Sequence, residues 1–208
     1  MRKLLLVLLA GGLALPTLAQ TERGSKLIGV TVGNVRYTTY NYNERKEYSA
    51  RLTPSVGWFV ADNLLLGAGL NLGYEGYRSE QQALNYAFSV RSRDLGVGLQ
   101  PQLRYYLPAG SKHRLFGHLS GGLTRYWSRL EITENQTPST TRSKYTERFI
   151  YGGLGYNYFL SPNVALEALA GYRRTNDLEL STVPAGAVSV QLGLSVFLPA
   201  NTAATSAP

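Results

Sequence analysis

His113 and His118 are the only two imidazoles in the chain, so any reaction that needs a histidine base must run through one of them. His118 stands two residues from Ser120. On an extended strand this spacing puts both side chains on one face about 7 Å apart, beyond a direct hydrogen bond without help from a neighbouring strand. Hydrolases and acyltransferases that act on lipid need a nucleophile and its base within hydrogen-bond reach. His113 falls in a turn sequence, and two isolated histidines without clustered carboxylates match no metal-ligand spacing. The sequence has no cysteine, which removes thiolate zinc sites, cysteine nucleophiles, disulfides and a lipid-bearing cysteine. No glycine cluster leads from a strand into a helix, so none forms a phosphate loop. The residues point to a non-enzyme with no cofactor and no metal.

The other chemistry-bearing side chains share a parity. Arg51, Asn71, Glu75, Gln100, Gln102, Arg104, His118, Glu147, Asn157, Glu167, Arg173 and Gln191 fall on the same face of alternating segments. Such a face suits a polar interior. Two readings are open for it: an Arg–Glu plug that fixes the fold and blocks diffusion, or the lining of a narrow or gated pore. In a small closed barrel the interior is only wide enough for side chains to fill, so charges there must pair.

The elements that position these residues follow from composition and periodicity. The 208 residues are enough for one domain, 44% hydrophobic and only 16% charged, which argues against a disordered chain. A mean hydropathy of −0.15 excludes a multi-helix membrane protein but is compatible with a membrane β-barrel, whose two faces average to neutral. No window sustains a helical apolar stripe, and period two runs through nearly the whole chain. In Leu64–Tyr77, for example, Leu66, Ala68, Leu70, Leu72 and Tyr74 share one face while Gly67, Gly69, Asn71, Gly73 and Glu75 share the other. The same dyad predicts eight strands near Lys26–Thr39, Tyr48–Val60, Leu64–Arg78, Ser92–Leu107, Arg114–Arg129, Tyr145–Leu160, Val164–Thr175 and Ala187–Leu198. They are longer than soluble strands, as tilted membrane strands with protruding ends would be. Pro54 and Pro101 lack a ladder donor and predict bulges or local irregularities. The first strand changes face between Val32 and Val35, which predicts a bulge or register change near Gly33 or Asn34.

Connections alternate in length. Ala61–Asn63 and Ser161–Asn163 are tight turns and Pro108–His113 is somewhat longer, whereas Tyr40–Glu47, Ser79–Arg91, Leu130–Lys144 and Asn176–Gly186 are long and polar. Short turns on one side and long loops on the other describe periplasmic and outer ends of a membrane barrel. On the lipid face, Tyr48, Tyr74, Trp127 and Tyr172 fall near the outer rim, and Trp58, Tyr105 and Tyr158 near the periplasmic rim. Rings with a polar handle settle at headgroup level, so these two sets predict aromatic girdles. The outer segments carry Arg45, Lys46, Arg78, Arg91, Arg93, Arg129, Arg142, Lys144, Arg173 and Arg174. They fit either a grip on lipid phosphates or a solvated surface partnered by Glu44, Glu47, Glu80, Glu131 and Glu134.

At the start of the chain, Met1-Arg2-Lys3, an apolar Leu4–Leu15 and Thr17-Leu18-Ala19 read as a secretory signal cleaved before Gln20. Removing residues 1–19 leaves 189 of the 208, and without Arg2 and Lys3 the 21 basic residues become 19 against 13 acidic, a formal charge of +6. That mild excess, with no run of like charges, argues against nucleic acid as a partner.

At the last strand, Gln191, Gly193, Val196 and Leu198 match a polar-x-Gly-x-x-hydrophobic-x-hydrophobic signal. With the leader, the Gly-rich dyads and segments such as Tyr151–Glu167, the chain resembles the outer membrane protein β-barrel domain family over essentially its whole mature length. The resemblance implies engagement of the barrel assembly machinery through that last strand. The chain departs from the usual aromatic terminus by continuing past Leu198 to Pro208.

The combined expectation is an all-β, eight-stranded antiparallel up-and-down transmembrane barrel over residues 20–198, with short periplasmic turns, long extracellular loops and a disordered tail over 199–208. Its role would be structural, adhesive or lipid-contacting, in the cell outer membrane after export through the inner membrane. Its partners would be outer-membrane lipids and an unidentified binder of the outer loops. Two alternatives are a small porin or channel for hydrophobic or small polar solutes, and a soluble secreted lipocalin-like barrel with an apolar core. A closed ladder resists detergent until heated, so outer-membrane fractions run with and without boiling should show two mobilities on SDS gels. Recovery in the soluble fraction with a single mobility would instead select the soluble barrel.

Overall fold

A computed structural model of the chain describes residues 21–40, 45–83, 86–108, 112–135, 137–177 and 185–200. The predicted leader (1–19) lies outside these residues, as do 201–208 of the predicted tail and Glu44. Eight strands follow in chain order: β1 (Lys26–Tyr40), β2 (Arg45–Ala61), β3 (Leu64–Ala83), β4 (Tyr86–Tyr106), β5 (His113–Glu134), β6 (Thr137–Ser161), β7 (Val164–Asp177) and β8 (Ala185–Leu198). Each pairs antiparallel with its sequence neighbours, and β8 returns to β1 to close the ring.

Period two does in this ring what the alternation requires, with the faces inverted relative to a soluble protein. Leu99 (65% exposed) and Leu154 (75%) point outward, while Asn71 and Asn157 are fully buried inside. A continuous apolar exterior of this kind is unfavourable in water and favoured against hydrocarbon. A soluble barrel with an apolar core requires the opposite distribution.

The expected irregularity in β1 is present. Register shifts between Gly33 and Arg36, and Asn34 has φ 52°. The extra residue returns Val35 and Tyr37 to the outward face, where both are more than two-thirds exposed. The prolines give the expected local irregularities without bulges. Pro54 opposes Val30 and Pro101 opposes Ala68 with no shift of register, but on the other edge the pairing is interrupted, Leu52↔Leu72 being followed by Ser55↔Gly69 and Leu99↔Leu123 by Gln102↔Ser120.

The strands also extend further outward than expected. β3 and β4 stay paired to Ala83↔Tyr86, and β5 and β6 to Glu134↔Thr137, so most of the polar connections at Ser79–Arg91 and Leu130–Lys144 are strand. Beyond the bilayer both faces of a strand are wet, so no apolar alternation marks these residues while the backbone ladder continues. From Trp127 to Glu134, the β5–β6 hairpin rises roughly 20 Å at about 3.3 Å per residue.

The opposite end corrects the expectation of a wholly polar interior. Phe59, Tyr106, Phe116, Phe159 and Phe197 all point inward, with ring centroids 5.0 Å apart for Tyr106–Phe116, 5.1 Å for Phe159–Phe197 and 5.6 Å for Phe59–Tyr106. These rings lie in runs such as Trp58-Phe59-Val60 and Tyr158-Phe159-Leu160, where both faces are apolar and alternation disappears. Thr21–Ser25 folds under them. Thr21 receives a hydrogen bond from Arg114 Nη1 (2.8 Å) and donates to Asn63 Oδ1 (2.8 Å), while Gly24 N–H donates to the Phe59 carbonyl (2.8 Å). Ala200 N–H in turn donates to Ser25 Oγ (3.2 Å), so Ala200, the second residue of the expected tail, is held against this segment.

Glycine makes room for the disc. A Cβ on Gly155 would lie 2.0 Å from Phe116 Cζ, whereas one on Gly152, in the same strand, would meet only Leu119 at 3.9 Å. Gly155→Ala should therefore cost about 1–3 kcal/mol through overpacking and lower the temperature at which the folded band is lost on SDS gels. Gly152→Ala should leave it unchanged, and equal behaviour of the two variants would contradict this packing.

Candidate functional site: the lumen and its outer rim

Directly above the aromatic disc, four strands contribute polar groups to one hydrogen-bonded network. Arg104 on β4 donates through Nη1 to Glu167 Oε2 on β7 (2.8 Å), and Ser195 Oγ on β8 donates to the same carboxylate oxygen (2.7 Å). Both charged side chains are essentially removed from solvent, at 3% and 0% exposure. Arg104 Nε donates to His118 Nδ1 on β5 (3.2 Å), and the guanidinium lies 5.1 Å from the Phe116 ring centroid. Gln102 Oε1 accepts from Nη2 at 3.5 Å, and Gln100 Nε2 donates to Ser120 Oγ at 3.3 Å. A buried ion pair is tolerable only when further hydrogen bonds offset its desolvation, and this network supplies them to the guanidinium and to Glu167 Oε2, while Glu167 Oε1 has no hydrogen-bond partner among the described residues.

One expectation is overturned here. His118 Nε2 lies 3.1 Å from Ser120 Oγ, well within hydrogen-bond range. Backbone spacing overestimated the separation because side chains lean along the strand and an imidazole reaches toward its i+2 neighbour. The polarity is nevertheless wrong for a serine nucleophile. Arg104 Nε–H occupies Nδ1, so the imidazole hydrogen sits on Nε2 and points at the serine oxygen. The ring gives a hydrogen to Ser120 and does not take one.

A second polar layer lies nearer the outer end. Arg173 donates to Glu147 (2.9 Å) and stacks 3.5 Å from the Phe149 ring centroid. Arg51 reaches Tyr126 Oη at 3.3 Å and Glu75 at 3.8 Å, and Tyr126 stacks on Tyr145 with centroids 4.9 Å apart. Outside this layer is a cavity of about 520 Å³ lined by Arg36, Ser49, Glu75, Asp94 and Ser189, among others. It opens where the β1–β8 ladder stops at Gly33↔Gln191, beyond which β1 stays with β2 and β8 with β7.

The predicted residues thus separate into groups. Gln100, Gln102, Arg104, His118 and Glu167 form one network, Glu147 with Arg173 a second, and Arg51 with Glu75 a third. Gln191 stands apart, accepting from Thr31 Oγ1 at 3.4 Å, and Asn71 accepts from Thr53 at the same distance. Ser195, Tyr126 and Phe116 were not singled out from sequence, although each has the parity of its inward-facing neighbours. Trp58, Tyr74, Tyr105, Trp127, Tyr158 and Tyr172 are all outward and exposed, while Tyr48 is half-buried because it stacks on Tyr74 at 5.6 Å. Val196 and Leu198 face outward beside β1, opposite Ile28 and Lys26, and Gly193 lies against Val30, where a Cβ would be 2.3 Å from the carbonyl oxygen.

Among curated proteins, none matches the chain. Among solved structures, the N-terminal β-barrel domain of Pseudomonas aeruginosa OprF is similar at 20% identity, covering 85% of this chain and 98% of that one, with TM-score 0.39. The attachment invasion locus protein Ail of Yersinia pestis is similar at 12% identity, covering 85% and 99%, with TM-score 0.42. OprG of Pseudomonas aeruginosa is similar at 14% identity, covering 87% and 99%, with TM-score 0.40. The family model of the outer membrane protein β-barrel domain matches residues 5–196, and the chain belongs to that family.

Proposed function

We propose that this protein is a non-conducting, non-enzymatic barrel of the outer membrane, with a structural, adhesive or lipid-contacting role carried by its outer surface. The observation that carries the reading is the Arg104–Glu167 pair spanning the lumen immediately above the aromatic disc. A solute would have to break a buried, multiply bonded ion pair and then part five packed rings. The same network holds the His118–Ser120 contact in a polarity that does not activate serine. Export would use the leader at residues 1–19, and Gln191, Gly193, Val196 and Leu198 would present β8 to the assembly machinery. The projecting β5–β6 hairpin is the natural place for a surface partner, because loops and strand ends on a rigid barrel are free to vary.

A channel is the second reading, favoured by the outer cavity and the divergence of β1 from β8. Planar bilayers separate the two. The full chain should give no conductance steps, and steps that change in Glu75→Ala or Arg104→Ala would replace the closed barrel by a channel. Stability gives an independent check on the network. Glu167→Ala leaves Arg104 buried without its carboxylate and should cost about 3–5 kcal/mol in urea unfolding from lipid vesicles. The paired apolar replacement Arg104→Met with Glu167→Leu should recover most of that loss. A cost below about 1 kcal/mol for Glu167→Ala would mean that the pair does not hold the interior together.

A further inference from the structure

The outward face of β3–β6 carries a charge pattern that the barrel itself does not balance. Arg93 on β4 sits directly opposite Arg129 on β5, which sits directly opposite Arg142 on β6. All three share the outward parity of Leu95 and Trp127. Like charges directly opposite each other on adjacent strands repel. The next position on β3 is Gly76, so no acid completes the row. One row toward the bilayer are Tyr74, Leu95, Trp127 and Lys144. Across these two rows and the row above, Glu131 is the only carboxylate among the described residues, bonded to Arg129 at 2.8 Å. Arg45 and Arg78, by contrast, each have a same-strand acid two residues away, Glu47 at 2.5 Å and Glu80. Arg93 and Arg142 have no acid at that spacing.

These side chains enclose a groove of about 690 Å³ with Arg93, Arg129 and Arg142 at its outer edge and Tyr74, Leu95, Trp127 and Lys144 toward the bilayer. At about 4.8 Å between strands, the arginine row spans roughly 10 Å, enough for a phosphomonoester to accept from more than one guanidinium. Below it the outward face carries exposed Leu72 and Val97 beside Arg125, which donates to Thr146 Oγ1, and then Leu99 and Leu123 of the lipid-facing wall. Charge favours an anion and the apolar floor favours acyl chains, so the complementary molecule carries both.

We propose that this groove binds a phosphorylated lipid of the surrounding leaflet, its phosphate held by Arg93, Arg129 and Arg142 and its acyl chains lying on Tyr74, Leu95 and Trp127. The inference rests on the strands spanning the membrane and not on the closed lumen, so a conducting barrel would leave it standing.

Trp127 lies in the groove, and the only other tryptophan, Trp58, lies at the opposite rim. In Trp58→Phe, Trp127 is therefore a single reporter. The full chain carrying this change, folded in phosphatidylcholine vesicles, is titrated with phosphatidic acid bearing brominated acyl chains, which quench indole on contact. Brominated phosphatidylcholine is the reference. Phosphatidic acid should compete for the site about tenfold better than phosphatidylcholine. Replacing Arg93, Arg129 and Arg142 together by Gln should make the two lipids equal, and Arg142→Gln alone should lose part of the preference. Retention of heat-dependent mobility on SDS gels identifies variants that still fold. Equal quenching by both lipids before substitution, or a preference that survives the triple change in a folded barrel, would overturn the proposal. Displacement of brominated phosphatidic acid by millimolar inorganic phosphate would also overturn it, assigning the row to an aqueous anion.

Discussion

Hydrocarbon supplies no hydrogen-bond partner, so every backbone N–H and C=O at membrane depth must find one within the protein. Eight antiparallel strands meet that demand only if the last returns to the first. Closure here depends on the ladder from Lys26↔Leu198 to Gly33↔Gln191, the shortest seam in the ring. Several local features make sense in relation to it. The β1 bulge falls where this seam ends, and β1 then follows β2 while β8 follows β7. The prolines lie on β2 and β4, away from the seam, where each removes a donor without moving the register. Thr21–Ser25 and Ala200 add bonds at the inner end of the same seam, tying the two ends of the described barrel to each other.

Ring size then dictates the interior. Eight strands leave a lumen about as wide as two opposed side chains, so inward residues from opposite walls must either fit together or clash. The barrel uses two solutions at successive depths. Aromatic rings fill the inner end, with Gly155 opposite Phe116 giving up its side-chain volume to the ring, as Gly96 does for Tyr126 nearer the outer end. Charges fill the middle, where Arg104 is matched by a carboxylate, an imidazole and an amide rather than by a single counter-ion. The combination explains why the polar layer is so heavily bonded. With the aromatic disc on one side and a second ion-paired layer on the other, its members have little access to water.

The two ends of the barrel are unlike. The inner end has tight turns, a cap and a dry disc, while the outer end has extended hairpins, an open cavity and an excess of arginine. That difference locates surface function at the outer end. It also separates two kinds of arginine that look alike in sequence: Arg51, Arg104 and Arg173 face inward and meet acids, whereas Arg93 and Arg142 face outward without an acid two residues away.

The sequence alone determined the ring, the number of strands, the outward parity of Trp58, Tyr74, Tyr105, Trp127, Tyr158 and Tyr172, the β1 bulge and the inward parity of Arg104, Glu167 and their neighbours. All of these follow from alternation, which is a local property of the chain with a period of two. Tertiary structure decided which inward groups meet, because Arg104 and Glu167 are 63 residues apart and only strand register and ring closure bring them together. It decided the His118–Ser120 contact, which depends on side-chain lean rather than on Cα spacing. It also decided the aromatic disc and the full length of the hairpins, where both faces of the strand share one environment and alternation falls silent. The arginine row belongs to the same class: Arg93, Arg129 and Arg142 are unremarkable in sequence, and the cross-strand register alone makes them neighbours.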